Sequence, residues 1–137
     1  MGPRPAFPDG AAGPVSTADD QLAFARMLLG KGRYGTERIL SRRSVELMTT
    51  GQLTPAQRAR EFGDARDWGF GVSVVTRRDT LSATPGAYGW DGGYGTSWQS
   101  DPAEDLIAIL MTQRLQYPAH NPVYQDFWTC AYQSLDR

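Results

Sequence analysis

The segment Ala87-Tyr88-Gly89-Trp90-Asp91-Gly92-Gly93-Tyr94-Gly95-Thr96-Ser97-Trp98 constrains the chain more than any other. It reads as a strand that breaks into glycines. With no Cβ at 92, 93 and 95, the main chain can approach a neighbour closely and aim N–H groups at a ligand oxygen. The aromatics at 88, 90, 94 and 98 can alternate between packing and binding surfaces. N–H donors on such a strand edge are one way to build an oxyanion hole; the plain alternative is an aromatic-rich β-bulge. Beyond it, Trp98-Gln99-Ser100 leads through Asp101-Pro102-Ala103-Glu104-Asp105 into the apolar run Leu106-Ile107-Ala108-Ile109-Leu110-Met111. The Asp-Pro pair presets a turn, so the two arms form a hairpin. A run without polar alternation implies a strand covered on both faces, lying inside a sheet.

The flanking patterns supply helices. Residues 1–14 carry four of the nine prolines and three glycines and read as an extended lead-in, separate from an α+β portion over 15–137. Ser16 or Thr17 caps a helix expected near 17–30, with Asp19 and Asp20 at its positive end and Leu22, Ala25, Leu28 and Leu29 at helical spacing. Gly30 or Gly32 can close it in a left-handed conformation. A second helix near 42–49 starts at Ser41 and buries Val45 and Met48. Gly51 to Asp67 reads as a loop with one helical turn near 55–60. Trp68 to Arg78 alternates as one strand, with Phe70, Val72 and Val74 on one face and Gly71, Ser73 and Val75 on the other. Asn121-Pro122 forms an N-cap and N1 pair for a last helix, whose stripe Val123, Phe127, Ala131 and Leu135 packs on the sheet. The expected class is α+β: an antiparallel sheet of about three to four strands with N-terminal helices and a C-terminal helix.

At 137 residues and 40% hydrophobic, the chain suits one globular domain. A net charge of −1 with scattered arginines gives no footprint for nucleic acid or an anionic membrane. No apolar stretch approaches a membrane span, and no export signal is legible, which leaves the compartment open with the cytoplasm favoured. The single cysteine, Cys130, excludes an internal disulfide and a cysteine metal cluster, and His120 is the one histidine. Cys130 reads as a buried inert thiol and His120 as a surface or capping residue. Trp68, Trp98, Phe127 and Trp128 read as core. No cofactor is called for.

In family order, four pieces resemble the serine β-lactamase, DD-peptidase and carboxylesterase superfamily, most closely its class C β-lactamase-like esterases. Gly13-Pro14-Val15-Ser16-Thr17-Ala18-Asp19-Asp20 is similar to the segment that opens a helix after the all-helical lobe. The stretches from Ile39-Leu40-Ser41 to Glu46-Leu47-Met48-Thr49-Thr50, and Trp68-Gly69-Phe70-Gly71-Val72, resemble the next helix and strand. Trp90-Asp91-Gly92 falls where β-lactamases carry Lys-Thr-Gly and the esterases Trp-Gly-Gly or His-x-Gly. By this resemblance Gly93 supplies an oxyanion N–H, with Trp90, Asp91, Gly92 and Tyr94 at the substrate. The implied fold is part of the β-lactamase/transpeptidase-like fold, and the implied substrate is a small ester or amide.

The family's nucleophile motif is absent from this chain. Three residues beyond Ser16, Ser41, Ser44, Ser73, Ser82, Ser97, Ser100 and Ser134 stand Asp, Ser, Leu, Thr, Pro, Ser, Ala and Arg, so no Ser-x-x-Lys exists. No tyrosine begins a Tyr-x-Asn, and Tyr132-x-Ser134 is out of family order. The resemblance therefore implies a C-terminal portion of a serine hydrolase, inactive alone. It also implies that strand 106–113 lacks its N-terminal neighbour, leaving an apolar edge for the missing N-terminal half or a second copy. Two other readings stay open: a truncated relative that binds a ligand or partner without catalysis, and a domain in which the glycine strand only packs.

Overall fold

A computed structural model describes residues 7, 9, 10, 14–115 and 122–135 of the chain. The helix α1 spans Ala18–Leu29, and the Thr17 hydroxyl accepts the Asp20 amide at its start. It ends through two left-handed residues, Lys31 (φ 53°) and Gly32 (φ 87°), with the Gly32 amide on the Met27 carbonyl. A Cβ at Gly32 would run into the Leu40 backbone, so this closure needs glycine. A small hairpin that the sequence reading did not anticipate follows, with β1 (Arg33–Tyr34) paired to β2 (Glu37–Arg38) across Gly35. Then come α2 (Arg42–Met48), capped by Ser41 and burying Val45, and α3 (Pro55–Glu61), opened by a Thr54–Gln57 capping box.

The main sheet is antiparallel in the order β3 (Arg66–Trp68), β4 (Ser73–Val75), β5 (Tyr88–Gly92), β6 (Thr96–Asp101), β7 (Leu106–Met111). Its five strands exceed the expected three to four because the stretch read as one strand from Trp68 to Arg78 folds back on itself. Trp68 pairs with Ser73, Gly71 takes φ 90° and Phe70 is exposed in the connection. The alternation was real but short, and glycines at 69 and 71 turn it into a hairpin.

The run Leu106–Met111, expected inside a sheet from its apolar pattern and at an open edge from the resemblance, forms an edge of the described sheet. It pairs with β6 on one flank; among the described residues its other flank meets no strand, and residues 106–110 are only half-buried. The preceding turn forms as the Asp-Pro pair implies: the buried Asp101 carboxylate accepts the Ala103 and Glu104 amides.

The two faces of the sheet have different chemistry. Val74, Tyr88, Trp90, Trp98 and Ser100 fall on one face by register, and there Tyr88 and Val74 join Met27, Leu28, Val45 and Val72 in the core. Phe24 of α1 meets Trp98 edge-on at 5.8 Å. The opposite face presents Asp91, Ser97, Gln99 and Asp101, and against it lies α4 (Val123–Gln133). Asn121, expected as the cap of α4, and His120 lie outside the described residues; Pro122 takes the capping position without a side-chain bond.

The expected apolar stripe of α4 is not its buried one. Val123, Phe127, Ala131 and Leu135 are half-buried, whereas Trp128 is buried, and Tyr124, Trp128 and Tyr132 make the bonds. Trp128 Nε1–H donates to Ser97 Oγ at 2.8 Å, and the Tyr132 hydroxyl donates to Asp101 Oδ2 at 2.6 Å and accepts from Gln99 Nε2 at 2.9 Å. Tyr124 donates to the Gly92 carbonyl at 2.6 Å. Four helical residues rise about 6 Å and two strand residues about 7 Å, so Trp128 and Tyr132 keep step with Ser97 and Gln99, alternate positions of β6, while Tyr124 reaches the end of β5. A polar sheet face selects aromatics that carry a donor or acceptor tip.

Trp128→Phe keeps the ring packing but takes the donor from a buried serine hydroxyl. The expected cost is about 1–3 kcal/mol, read as a lower denaturant midpoint with unchanged slope; an unchanged midpoint would show that the ladder does not hold α4.

Candidate functional site

The strand β5 is interior for half its length and free for the other half. Ser73 opposes Gly89 and Val74 opposes Tyr88, after which β4 ends. Trp90, Asp91 and Gly92 therefore pair with β6 alone among the described residues, through Trp98, Ser97 and Thr96. At the free end the chain turns through Gly93-Tyr94-Gly95, closed by the Gly95 amide on the Gly92 carbonyl at 3.2 Å. Gly95 has φ 96°, and its carbonyl accepts both the amide and the hydroxyl of Thr112, each at 2.8 Å. A side chain there would collide with Thr112 and the Arg114 backbone.

Gly93 is open by contrast. It is exposed, a Cβ built on it meets nothing within 4 Å, and among the described residues its N–H serves none of the turn's backbone bonds. Beside it Tyr94 is 67% exposed and Trp90 51% exposed, so both rings are available to a ligand. Trp90 stands edge-on to Trp68 at 4.6 Å, and Trp68 stacks on Phe62 at 5.6 Å. The segment 51–67, read as a loop with one helical turn near 55–60, holds the longer helix α3, and Phe62 directly after it backs the wall leading to Trp90. Buried Asp67 fixes this segment by accepting the Leu53 and Trp68 amides, with the Arg58 guanidinium at 3.5 Å.

The site residues expected from sequence do not all share one surface. Trp90, Gly93 and Tyr94 are open at the free end of the hairpin, and Gly92 lies half-buried against Thr96. Asp91 alternates to the α4 side, where it accepts the Ser97 hydroxyl, itself bonded by Trp128. A cavity of about 350 Å³ runs alongside and is bordered by both Trp90 and Asp91, together with Phe62, Arg66, Gln99 and Trp128. Cys130, expected buried, is exposed on α4 because the bonded stripe faces the sheet in its place. Among the described residues no group of three or more His, Cys, Asp or Glu is placed to hold a metal. No described helix is long and apolar enough to cross a membrane.

Tyr124 and Thr112, which hold the turn, were not found from sequence. The i, i+4 series Tyr124, Trp128, Tyr132 was the available signal. It was masked by the more hydrophobic series beginning at Val123.

A profile of the Beta-lactamase family matches residues 1–127. The chain belongs to this family. It is 41% identical over 127 residues to Protein Rv1367c of Mycobacterium tuberculosis (strain ATCC 25618 / H37Rv), covering 82% of this chain and 32% of that protein. The chain thus spans about a third of the length of the curated relatives it matches. Its fold is shared with EstCE1, described as a hydrolase with promiscuous acyltransferase activity, at TM-score 0.65 and 24% identity over 84% of this chain and 29% of that one. It is likewise shared with a simvastatin synthase (LovD6 mutant) from Aspergillus terreus, at TM-score 0.61 and 20% identity over 82% and 32% of the two chains. Both neighbours support the α+β, β-lactamase-like assignment.

Two phenols, Tyr132 of the ladder and Tyr88 of the opposite face, carry a pH signature. Burial first, then the hydrogen bond to Asp101 and its charge, push the Tyr132 phenol up to about 12, and burial pushes Tyr88 to about 12. An unfolded tyrosine ionises near ~10. The folded state therefore holds these protons longer, and their stabilisation is complete below about pH 10 and lost as pH rises towards 12. Tyr132→Phe is expected to lower stability at neutral pH and to flatten the alkaline fall in the unfolding midpoint. Parallel curves for the two proteins would rule out Tyr132 as a contributor.

Proposed function

We propose that this chain supplies the oxyanion strand of a serine hydrolase of the carboxylesterase type. Its Ser-x-x-Lys nucleophile and tyrosine motif stand on a segment outside this sequence. The single observation behind this reading is the exposed Gly93 N–H, free of turn bonding, at the unpaired half of β5. The serine oxygen bonds to the substrate carbonyl carbon, and the carbonyl oxygen, now negative, is held between the serine's own N–H and Gly93 N–H. The serine's proton passes to the lysine and tyrosine of its own segment and from them to the alcohol oxygen, as the carbonyl re-forms and the C–O bond to the alcohol breaks. Water then adds to the acyl-serine carbonyl, the bond to the serine oxygen breaks, and the acid leaves as the serine regains a proton. A donor fixed in place before the reaction is worth about 3 kcal/mol of barrier.

Trp90, Gly92 and Tyr94 line the substrate side in this reading. Asp91, bonded to Ser97 on the other face, is assigned to hairpin geometry. A neutral indole where the β-lactamases place a lysine favours small uncharged esters over β-lactam carboxylates. The chain alone is then expected to leave a p-nitrophenyl ester and a chromogenic cephalosporin intact. The polypeptide that joins it to its Ser-x-x-Lys segment is expected to cleave the ester, and Gly93→Pro, which deletes the N–H, to abolish that turnover. Activity purifying with the 137-residue chain, or surviving Gly93→Pro, would overturn the reading.

A second reading, ligand or partner binding without catalysis, draws on the half-exposed Trp90 and Tyr94. Saturable binding by the isolated chain, with no turnover in the joined polypeptide, would favour it. In either case the free flank of β7 is proposed to take a strand from the N-terminal half or from a second copy. The isolated chain is expected to sediment as a dimer or larger; a monomer that melts sharply at high concentration would reject this.

A further inference from the structure

We propose that Tyr124 is a positioning residue for the Gly93 N–H, acting through the peptide that joins Gly92 to Gly93; this rests on the Gly93 reading above. The carbonyl oxygen of Gly92 and the N–H of Gly93 belong to one planar trans peptide and point in opposite directions. Whatever holds the oxygen therefore aims the hydrogen. Gly92 O accepts the Tyr124 hydroxyl at 2.6 Å and the Gly95 amide at 3.2 Å. The shorter bond comes from α4, on the face of the sheet that also carries Asp91 and Ser97. The Gly93 N–H is thereby turned away from the Tyr124 hydroxyl.

The turn needs this external anchor. Gly92 and Gly93 are adjacent and neither carries a Cβ, so rotation of their shared peptide meets little steric resistance. The Gly95–Gly92 bond restrains it from within the turn, and Thr112 holds only the Gly95 carbonyl. Tyr124 is half-buried, and its phenol is raised by burial and by the charge of Asp91 against a smaller lowering from the Gly95 amide beside it, so it keeps the proton it donates at neutral pH. The anchor itself is held in place by the Trp128 and Tyr132 bonds further along α4.

The test uses the polypeptide that joins this chain to its Ser-x-x-Lys segment. Tyr124→Phe is expected to lower kcat for a p-nitrophenyl ester about tenfold with KM within twofold, since donor alignment matters in the transition state and not in ground-state binding. In the ¹⁵N spectrum of the same variant the Gly93 nitrogen, bonded to the released carbonyl, is expected to shift more than other amides. Should Tyr124→Phe fold poorly, a fluorinated tyrosine at 124 ionises nearer neutrality and then cannot donate. It should add a falling limb to the kcat profile as pH rises. If Gly93→Pro abolishes turnover while Tyr124→Phe leaves kcat unchanged, or the fluorinated variant shows no new limb, the positioning role is overturned and the oxyanion role stands. If Gly93→Pro retains turnover, both fall.

Discussion

The rest of the structure depends on the polar ladder between α4 and the sheet. Ser97, Gln99 and Asp101 are buried on β6, where unpaired polar groups would cost several kcal/mol in sum. They are tolerated because Trp128 and Tyr132 arrive at matching height with complementary tips. An apolar helix would take one partner each from Ser97, Gln99 and Asp101, whose remaining bonds run to Asp91, the Ser82 carbonyl and the Ala103 and Glu104 amides. The ladder therefore fixes which way α4 lies and how far along β6 it sits, and apolar contact alone would fix neither. From that placement follows the position of Tyr124 at the turn of the glycine hairpin.

Much of this was legible from residue pattern. Thr17 and Ser41 marked helix starts within a residue, and Asp101-Pro102 marked the turn before β7. What escaped was decided by partners distant in sequence. The helical stripe from Val123 had the better hydrophobic spacing, yet the stripe from Tyr124 is bonded because the facing strand is polar, a fact that no window around α4 contains. The turn between β3 and β4 was hidden for another reason. A Cβ at Gly69 would strike the Met48 carbonyl, so that glycine answers to the end of α2 and not to its own strand. The site was half legible: the open glycine and its exposed aromatics stood in the motif, while the side chains that hold the turn came from 17 and 32 residues further on.

The free half of β5 lies in the middle of the strand order, where the β4 pairing stops, whereas the free flank of β7 lies at its end, and the two have different chemistry. At β5 the edge is open over three residues only, flanked by glycine and bulky rings, a shape suited to a short extended ligand. At β7 it is open along six apolar residues, suited to another strand. One sheet thus offers both a narrow and a long edge, and the interior pairing between β5, β6 and β7 couples them. A strand seated on β7 would stiffen β6, and β6 carries the partners of α4.

Alternation along β5 separates the Trp90 ring from the Asp91 carboxylate, although both border one cavity together with Arg66. Strand alternation sends Asp91 to the α4 face, where the Ser97 hydroxyl and, through it, Trp128 hold it. The indole of Trp90 and the phenol of Tyr94 are left beside the open glycine. In the proposed site, selection among acyl groups then falls to shape. The wall that sets this shape runs from Phe62 through Trp68 to Trp90, and its outer ring is placed by α3, whose start is fixed by the Thr54–Gln57 capping box. Because Phe62 follows directly on the last turn of α3, a change in that short helix would widen or narrow the approach to Trp90 without touching the hairpin. Acyl preference in the proposed site would follow α3, and the aim of the Gly93 N–H would follow α4.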